Sequence, residues 1–152
     1  MSIRALALPL VLVAGLSMPQ AIYADDAPEK SIRYRHKVME ALGDHMGSTS
    51  MILKGEVSRD KDLALHARAM NDLAKTLPEL WPEGTLENSD SKKEVWEKKD
   101  AFLEACKSFE AATSALVAAA EKSDKEATMA AFKKVGGNCG SCHDDFRVDE
   151  DH

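Results

Sequence analysis

The chain has 152 residues, of which 44% are hydrophobic, 30% are charged and only 5% are aromatic, and its formal net charge at pH 7 is −6. This length suits a single domain, and an acidic chain of this kind is a poor candidate for binding nucleic acid or an anionic membrane surface. Alanine, lysine, glutamate, leucine and methionine dominate, as helices prefer, and no alternating β-branched run predicts a strand.

Residues 1–24 have the pattern of a secretory signal peptide. Arg4 provides the positive charge, residues 5–16 form a short apolar core, and Ile22-Tyr23-Ala24 is a plausible cleavage site. The apolar run is too short to cross a bilayer comfortably, which favours cleavage over an uncleaved anchor. We therefore expect export to the periplasm and a soluble mature domain of residues 25–152, with no membrane span. Removing Arg4 changes the net charge from −6 to −7.

The mature chain contains four predicted helices, separated by segments rich in glycine and proline. The first runs over about 28–54, the second over about 58–77 with Ser58 as its N-cap, and the third over about 91–122. Ser123 and Glu126 form a capping box that predicts the start of the fourth helix. Because most connections are short, the economical fold is all-α, an antiparallel four-helix bundle.

Each predicted helix has an apolar stripe at 3–4 residue spacing. In the first helix the stripe includes Arg35 and Met39, and in the second it passes through His66 or Ala67. The stripe of the third helix contains Val95, Phe102, Cys106, Phe109 and Leu116, and that of the fourth contains Phe132, Val135, Cys139, Cys142 and Phe146. These stripes predict the core of the bundle.

The most informative motif is Cys139-Gly140-Ser141-Cys142-His143 on the fourth helix. Two thiols at this spacing can each add across a vinyl group of one porphyrin, and the adjacent histidine can then bind the iron. At about 100° per residue, Cys139, Cys142 and His143 lie on one face of a helix. The motif predicts one covalently bound haem c, attached through both cysteines and ligated by His143.

A redox-active dithiol and half of a zinc site are the two other interpretations of the cysteine pair. A thioredoxin-like dithiol needs a βαβ context, which the sequence lacks, and a structural zinc site needs a second pair of ligands that is also missing. Cys106 has no obvious partner and is predicted to be a buried free thiol, with an intermolecular disulfide as the alternative.

The whole mature chain resembles class II cytochromes c, the cytochrome c′ family. In that family the haem motif lies near the end of the last of four helices, as it does here. The further matching stretches are Tyr34-Arg35, Lys54-Gly55-Glu56, Leu77-Pro78, Trp81-Pro82-Glu83-Gly84, Trp96 with Phe102, and Phe146-Arg147. The resemblance implies a bundle with the haem bound inside it, either as a monomer or as a homodimer.

The resemblance also identifies the residue that faces the iron from the first helix. Counting from Tyr34-Arg35 or from Lys54-Gly55-Glu56 gives Met39. Methionine at this position is typical of the low-spin branch of the family, so we expect Met39 to be the sixth ligand, with ordinary core packing as the alternative. His36 is a weaker competing ligand, more simply interpreted as a surface histidine.

Arg35 lies one turn from Met39 on the same stripe. An arginine that faces a core needs an anion, and the resemblance places a haem propionate there, so Arg35 is predicted to bind the cofactor. A surface salt bridge with Glu40 or another acid is the alternative. Arg147, four residues after His143, is expected near the proximal face of the haem or in solvent at the helix end.

Together these features predict a periplasmic electron carrier rather than an enzyme. Its haem iron would be six-coordinate and low-spin, bound by His143 and Met39, and it would exchange electrons with periplasmic redox partner proteins. The alternative is a five-coordinate cytochrome c′ that binds nitric oxide or carbon monoxide.

Overall fold

A computed structural model describes residues 27–148, so the predicted signal peptide and residues 149–152 lie outside the described part. Five α-helices follow in chain order: α1 (Pro28–Leu53), α2 (Leu63–Ala74), α3 (Glu94–Glu97), α4 (Lys99–Glu121) and α5 (Lys125–Phe146). Two short 3₁₀ turns, Asp60–Asp62 and Leu77–Glu79, flank α2. Residues 27–148 contain no strand beyond one isolated bridge between Ser91 and Arg147.

The four long helices α1, α2, α4 and α5 form the predicted antiparallel bundle. The helix α4 packs most extensively against α5 and also packs against α2, which in turn packs against α1. The contact between α1 and α5, which would close the bundle, is the least extensive of these four. The predicted all-α four-helix fold is therefore confirmed. Among the described helices, none is apolar over enough residues to form a bilayer span.

The core is built from the predicted stripes. All five residues predicted for the stripe of the third helix are buried, as are Val135 and Phe146 of α5. Aromatic contacts reinforce the end of the bundle, where the ring of Phe102 lies 4.8 Å from that of Trp81 and 5.3 Å from that of Phe146. This edge-to-face cluster ties α4, the end of α5 and the connection after α2 together.

The predicted end of α1 is correct. Lys54 is the C-cap, and Gly55 adopts a left-handed φ of 77°, a conformation that glycine takes without steric cost. The amide of Gly55 donates to the carbonyl of Ile52 and the amide of Glu56 donates to that of Met51. This pair of hydrogen bonds is a Schellman motif, which reverses the chain toward α2.

The predicted boundaries of the second helix were wrong. Ser58 is not a cap: the helix begins at Leu63, after the 3₁₀ turn at Asp60–Asp62, and ends at Ala74. The 3₁₀ turn satisfies backbone groups that a side-chain cap would otherwise bind. The second helix is therefore the shortest of the four long ones.

The predicted third helix is divided in two. Lys98 has φ −117° and ψ 47°, which separates α3 from α4. The fourth helix also starts differently, because Ser123 has a left-handed φ of 55° and the cap is Asp124. The carboxylate of Asp124 accepts a hydrogen bond of 2.9 Å from the amide of Ala127, so a single side-chain cap lies one residue after the predicted capping box.

The end of α5 is fastened to the segment before α3 by backbone hydrogen bonds. The amide of Lys92 donates to the carbonyl of Phe146, and the amide of Val148 donates to that of Asp90, both at 2.8 Å. The segment 90–92 therefore lies directly beside the last turn of the helix that carries the haem motif.

Candidate functional site

The helix α5 presents Cys139, Cys142 and His143 on one side of the bundle. Val135 and Phe146, on either side of the motif, are buried and anchor the helix to the core. Both cysteines are half-buried and pack against the core cluster, whereas His143 is exposed. The prediction that the five residues of the motif all lie on one helix is confirmed.

The two cysteines of the motif are free thiols in the described part of the chain. Burial raises the pKa of Cys139, and burial together with the neighbouring Cys139 and Asp145 raises the pKa of Cys142 to about 11. Before a haem is attached, both thiols are therefore protonated at pH 7. A redox-active dithiol needs a stabilised thiolate, so these surroundings do not suit that alternative.

Three charged side chains act on the ring of His143. Partial burial of the ring and the nearby Arg147 lower the pKa of His143, and Asp90 and Asp144 partly oppose this effect. The imidazole is therefore neutral at pH 7, which is the form that binds a metal.

Asp90 links three elements around this end of α5. Its carboxylate lies 3.1 Å from Nε2 of His36 on α1 and 3.6 Å from Nε of Arg147. Burial acts to raise the pKa of Asp90, but the hydrogen bond and charge of His36, with the charge of Arg147, lower it overall. His36 thus lies on the protein surface, as its simpler interpretation predicted, and its ring is within hydrogen-bond distance of Asp90.

Arg35 of α1 is almost completely buried, with 1% of its surface exposed. Its guanidinium donates to the carbonyl of Leu80 at 3.2 Å and to the hydroxyl and carbonyl of Thr85 at 3.3 and 3.4 Å, and it lies over the ring of Trp81. Burial lowers its pKa, while Asp90 opposes the shift. The predicted inward orientation is confirmed, and the alternative salt bridge with Glu40 is excluded because Glu40 pairs with Lys37.

The helix α1 approaches α5 on the side of the motif. Met39 is half-buried and packs against the core cluster. Two helical turns further along α1, Cε of Met46 lies 3.8 Å from the position that a Cβ on Gly136 of α5 would take.

Cys106 of α4 is a buried free thiol, as predicted, and burial with the nearby Cys142 raises its pKa to about 12.

The chemistry of these residues fits a covalently attached haem. Two neutral thiols one turn apart adjoin the apolar core, a neutral imidazole follows them, and Nε of the buried Arg35 has no hydrogen-bond partner. A buried guanidinium N–H without a partner is costly and would be satisfied by a carboxylate such as a propionate. Iron ligation and propionate binding are not tested by these contacts and stay predictions.

Similarity to known proteins agrees with this site. The profile of the family described as Cytochrome C′ matches residues 30–147, which is most of the chain. The chain belongs to the cytochrome c′ family. Cytochrome c′ of Pararhodospirillum photometricum is 38% identical over 124 residues, which cover 80% of this chain and 98% of that protein. As a family member, the protein binds one covalent haem c.

Two similar solved structures are cytochromes c′ from Alcaligenes xylosoxidans. One is a nitric oxide complex of a mutant, with 25% identity, a TM-score of 0.77, and coverage of 82% of this chain and 98% of that chain. The other is a variant with bound carbon monoxide, with 26% identity, a TM-score of 0.76 and the same coverage.

These findings contradict the prediction of a six-coordinate electron carrier ligated by His143 and Met39. The relative from Pararhodospirillum photometricum is a cytochrome c′, and the two similar solved structures of cytochrome c′ carry bound nitric oxide or carbon monoxide. A gas ligand needs a coordination position that a bound methionine would fill. The methionine-ligated branch of the family is likewise not supported, so the main functional interpretation of the sequence was wrong and its alternative agrees better.

Sequence reasoning missed two residues of this region, Asp90 and Thr85. Asp90 lies between two serines in a loop, and nothing in that local pattern distinguishes it from other loop acids. Thr85 is 50 residues from Arg35 in the chain, although its hydroxyl and carbonyl both accept from that guanidinium. Only the tertiary fold brings these partners together.

Proposed function

We propose that this cytochrome c′ holds its haem iron in a five-coordinate state and binds nitric oxide or carbon monoxide at the open position. Cys139 and Cys142 would carry the two thioether bonds, and His143 would be the one protein ligand of the iron. The observation that carries the proposal is the similarity over nearly the whole fold to cytochromes c′ solved with these gases bound. The bound haem supplies an iron atom able to coordinate a diatomic ligand.

The proximal residues support His143 as a neutral ligand in a charged environment. The backbone amide of Arg147 donates to the carbonyl of His143 at 2.9 Å, and the carboxylate of Asp90 lies 3.6 Å from Nε of Arg147. This arrangement keeps a guanidinium next to the imidazole. A nearby positive charge disfavours the protonated imidazole and thus favours the form that can bind iron.

The residues of α1 would form the other side of the site. In the proposed state Met39 packs against the core without binding the iron, and its apolar side chain limits access of water to the open position. Arg35 would donate its unpartnered Nε–H to a propionate while its terminal nitrogens keep their bonds to Leu80 and Thr85. Arg35 would thereby orient the haem relative to α1.

Optical spectra of the purified holoprotein test this proposal directly. We expect high-spin spectra in both oxidation states and prompt binding of carbon monoxide to the ferrous protein. Low-spin spectra with a thioether-to-iron charge-transfer band, or a failure to bind carbon monoxide, would contradict it. Met39→Ala should leave the high-spin spectrum unchanged, as should the control Met129→Ala, because neither sulphur would bind iron.

Export, partners and assembly are also part of the proposal. The predicted signal peptide would deliver the chain to the periplasm, where a redox partner would keep the iron ferrous for carbon monoxide binding. The protein would act by binding gas, not by converting a substrate. Cytochromes c′ are often dimeric, and light scattering of the holoprotein would distinguish a monomer from a homodimer.

A further inference from the structure

The side chain of Asp90 connects the two helices that carry the candidate site. Its Oδ1 lies 3.1 Å from Nε2 of His36 on α1, and its Oδ2 lies 3.6 Å from Nε of Arg147, just beyond the end of α5. His36 lies about one turn before Met39 on α1, and Arg147 lies about one turn after His143. One carboxylate therefore joins the helix on the open side of the proposed iron site to a residue on the His143 side.

The backbone around Asp90 fixes the position of this carboxylate. The amide of Val148 donates to the carbonyl of Asp90, and the amide of Lys92 donates to that of Phe146, both at 2.8 Å. Because the main chain on both sides of the Asp90 side chain is bonded to the end of α5, the carboxylate keeps its place beside the side chain of Arg147.

The charges of Asp90 and Arg147 act on His143 in opposite directions. Partial burial and Arg147 lower the pKa of His143, whereas Asp90 and Asp144 act to raise it. The pKa of Asp90 is itself lowered overall, although burial opposes this, so its carboxylate is charged at pH 7. The side chain of Arg147 is long and 43% exposed, so its distance from the imidazole depends on the groups that hold it.

We propose that Asp90 is a positioning residue for the proposed iron site, because it holds the guanidinium of Arg147 beside His143 and thereby sets part of the reduction potential of the iron. The inference rests on the proposed function in taking His143 as the iron ligand. A positive charge held near the ligand raises the potential, and a negative charge lowers it. Asp90 thus has two opposed effects, its own charge and that of the guanidinium that it holds.

A double-mutant cycle on the reduction potential of the holoprotein tests this role. Arg147→Gln should lower the potential. Asp90→Asn should raise it when combined with Arg147→Gln, because only a negative charge is then lost. Asp90→Asn alone should change the potential much less, since the loss of the carboxylate also releases the guanidinium. Equal rises with and without Arg147→Gln would show that Asp90 acts only through its own charge and would overturn the proposal.

Asp144→Asn is the matched control. Asp144 also acts on the ring of His143, but it follows that residue on α5, where the helix itself fixes its position. Its effect on the potential should be the same with and without Arg147→Gln. A dependence on Arg147 as large as that of Asp90→Asn would contradict a specific role for Asp90. Asp90→Glu keeps a carboxylate that can reach Arg147 and should leave the potential near that of the wild type.

The reduction potential can be measured whether the iron has five ligands or six. Low-spin spectra of the wild type would therefore contradict the proposed function, while non-additive potentials would still support the role of Asp90. Additive potentials in a protein with high-spin spectra would contradict only that role. Circular dichroism of each variant checks that the helix content is unchanged, so that a shift in potential reports on the site and not on unfolding.

Discussion

Arg35 carries a buried positive charge whose hydrogen bonds reach only neutral groups. Its partners are the carbonyl of Leu80 and the hydroxyl and carbonyl of Thr85, and the nearest acid that affects its pKa is Asp90. Arginine stays charged even when burial lowers its pKa, so its removal leaves buried acceptors without donors. The connection after α2 therefore depends on this one side chain of α1 for several of its internal contacts.

Replacing Arg35 tests this dependence. We expect Arg35→Met to lower the free energy of unfolding by about 3 kcal/mol, because hydrogen bonds to a buried charged donor are lost and their acceptors stay buried. Urea unfolding of the holoprotein measures the change. The exposed Arg33→Met is the matched control, and a loss for Arg35→Met no larger than for this control would refute the argument.

His66 should make stability depend on pH. Its pKa is lowered in the folded state by burial and by His45, whereas an unfolded histidine titrates near about 6.5. Between these two values the unfolded chain binds more protons, so the free energy of unfolding falls as the pH falls below about 6.5. His66→Asn should reduce the difference between the free energies of unfolding measured at about pH 7.5 and at about pH 5.5. An unchanged difference would show that His66 does not contribute.

At the scale of the helix, α5 depends on one cap that lies a residue away from the predicted one. The Asp124 carboxylate accepts from the amide of Ala127, whereas Ser123 adopts a left-handed φ of 55° before the helix begins. We expect Asp124→Ala to lower the free energy of unfolding by about 1 kcal/mol. Ser123→Ala should change it by less than about 0.5 kcal/mol, and chemical denaturation of both variants checks the contrast. A larger loss of unfolding free energy for Ser123→Ala than for Asp124→Ala would contradict this assignment and favour Ser123 as the cap.

The helices were predictable from sequence where the apolar spacing is regular. The stripe of α4 and the end of α1 at Gly55 follow from local pattern and turn chemistry, and both agree with the structure. The break at Lys98 was not predictable, because Glu97, Lys98 and Lys99 all have good helix propensity and only tertiary packing separates α3 from α4. The start of α2 was also predicted wrongly, because a 3₁₀ turn precedes the helix where a cap at Ser58 was expected.

The residues of the candidate site also fall into two groups, those that the sequence could place and those whose contacts required the fold. The spacing of Cys139, Cys142 and His143 is a local property of one helix, so sequence alone could place them. The state of the sixth coordination position depends on how α1 approaches the haem, which the identity of Met39 does not determine. The inward orientation of Arg35 was predicted from its stripe, but its partners Leu80 and Thr85 lie 45 and 50 residues away and required the fold.

At the scale of the whole molecule, the core has few large rings. Aromatic residues are only 5% of the chain, and the rings of Trp81, Phe102 and Phe146 are grouped at one end of the bundle. The seam between α1 and α5 is also the least extensive contact between neighbouring long helices. A haem carried by α5 would therefore add apolar surface to a bundle that is sparsely filled.

Loss of the haem should accordingly destabilise the whole bundle. We expect the double variant Cys139→Ala with Cys142→Ala to be colourless and to have a Tm lower by about 10 °C or more, on a scale of roughly 4 °C per kcal/mol. Circular dichroism during heating measures this. Ser141→Ala, an exposed change between the two cysteines, should keep both colour and Tm. A colourless double variant as stable as the wild type would show that the polypeptide alone supports the fold.

The backbone bridge between segment 90–92 and the last turn of α5 has a consequence for how such proteins can diverge. Because this segment holds Asp90 beside Arg147 and is hydrogen-bonded to the turn that contains His143, changes in it reach this proposed iron ligand without altering the helix packing. Loop substitutions could thus adjust ligand affinity while the scaffold is preserved. Selection or engineering could therefore change the chemistry of the iron through substitutions in segment 90–92, with little change in the stability of the bundle.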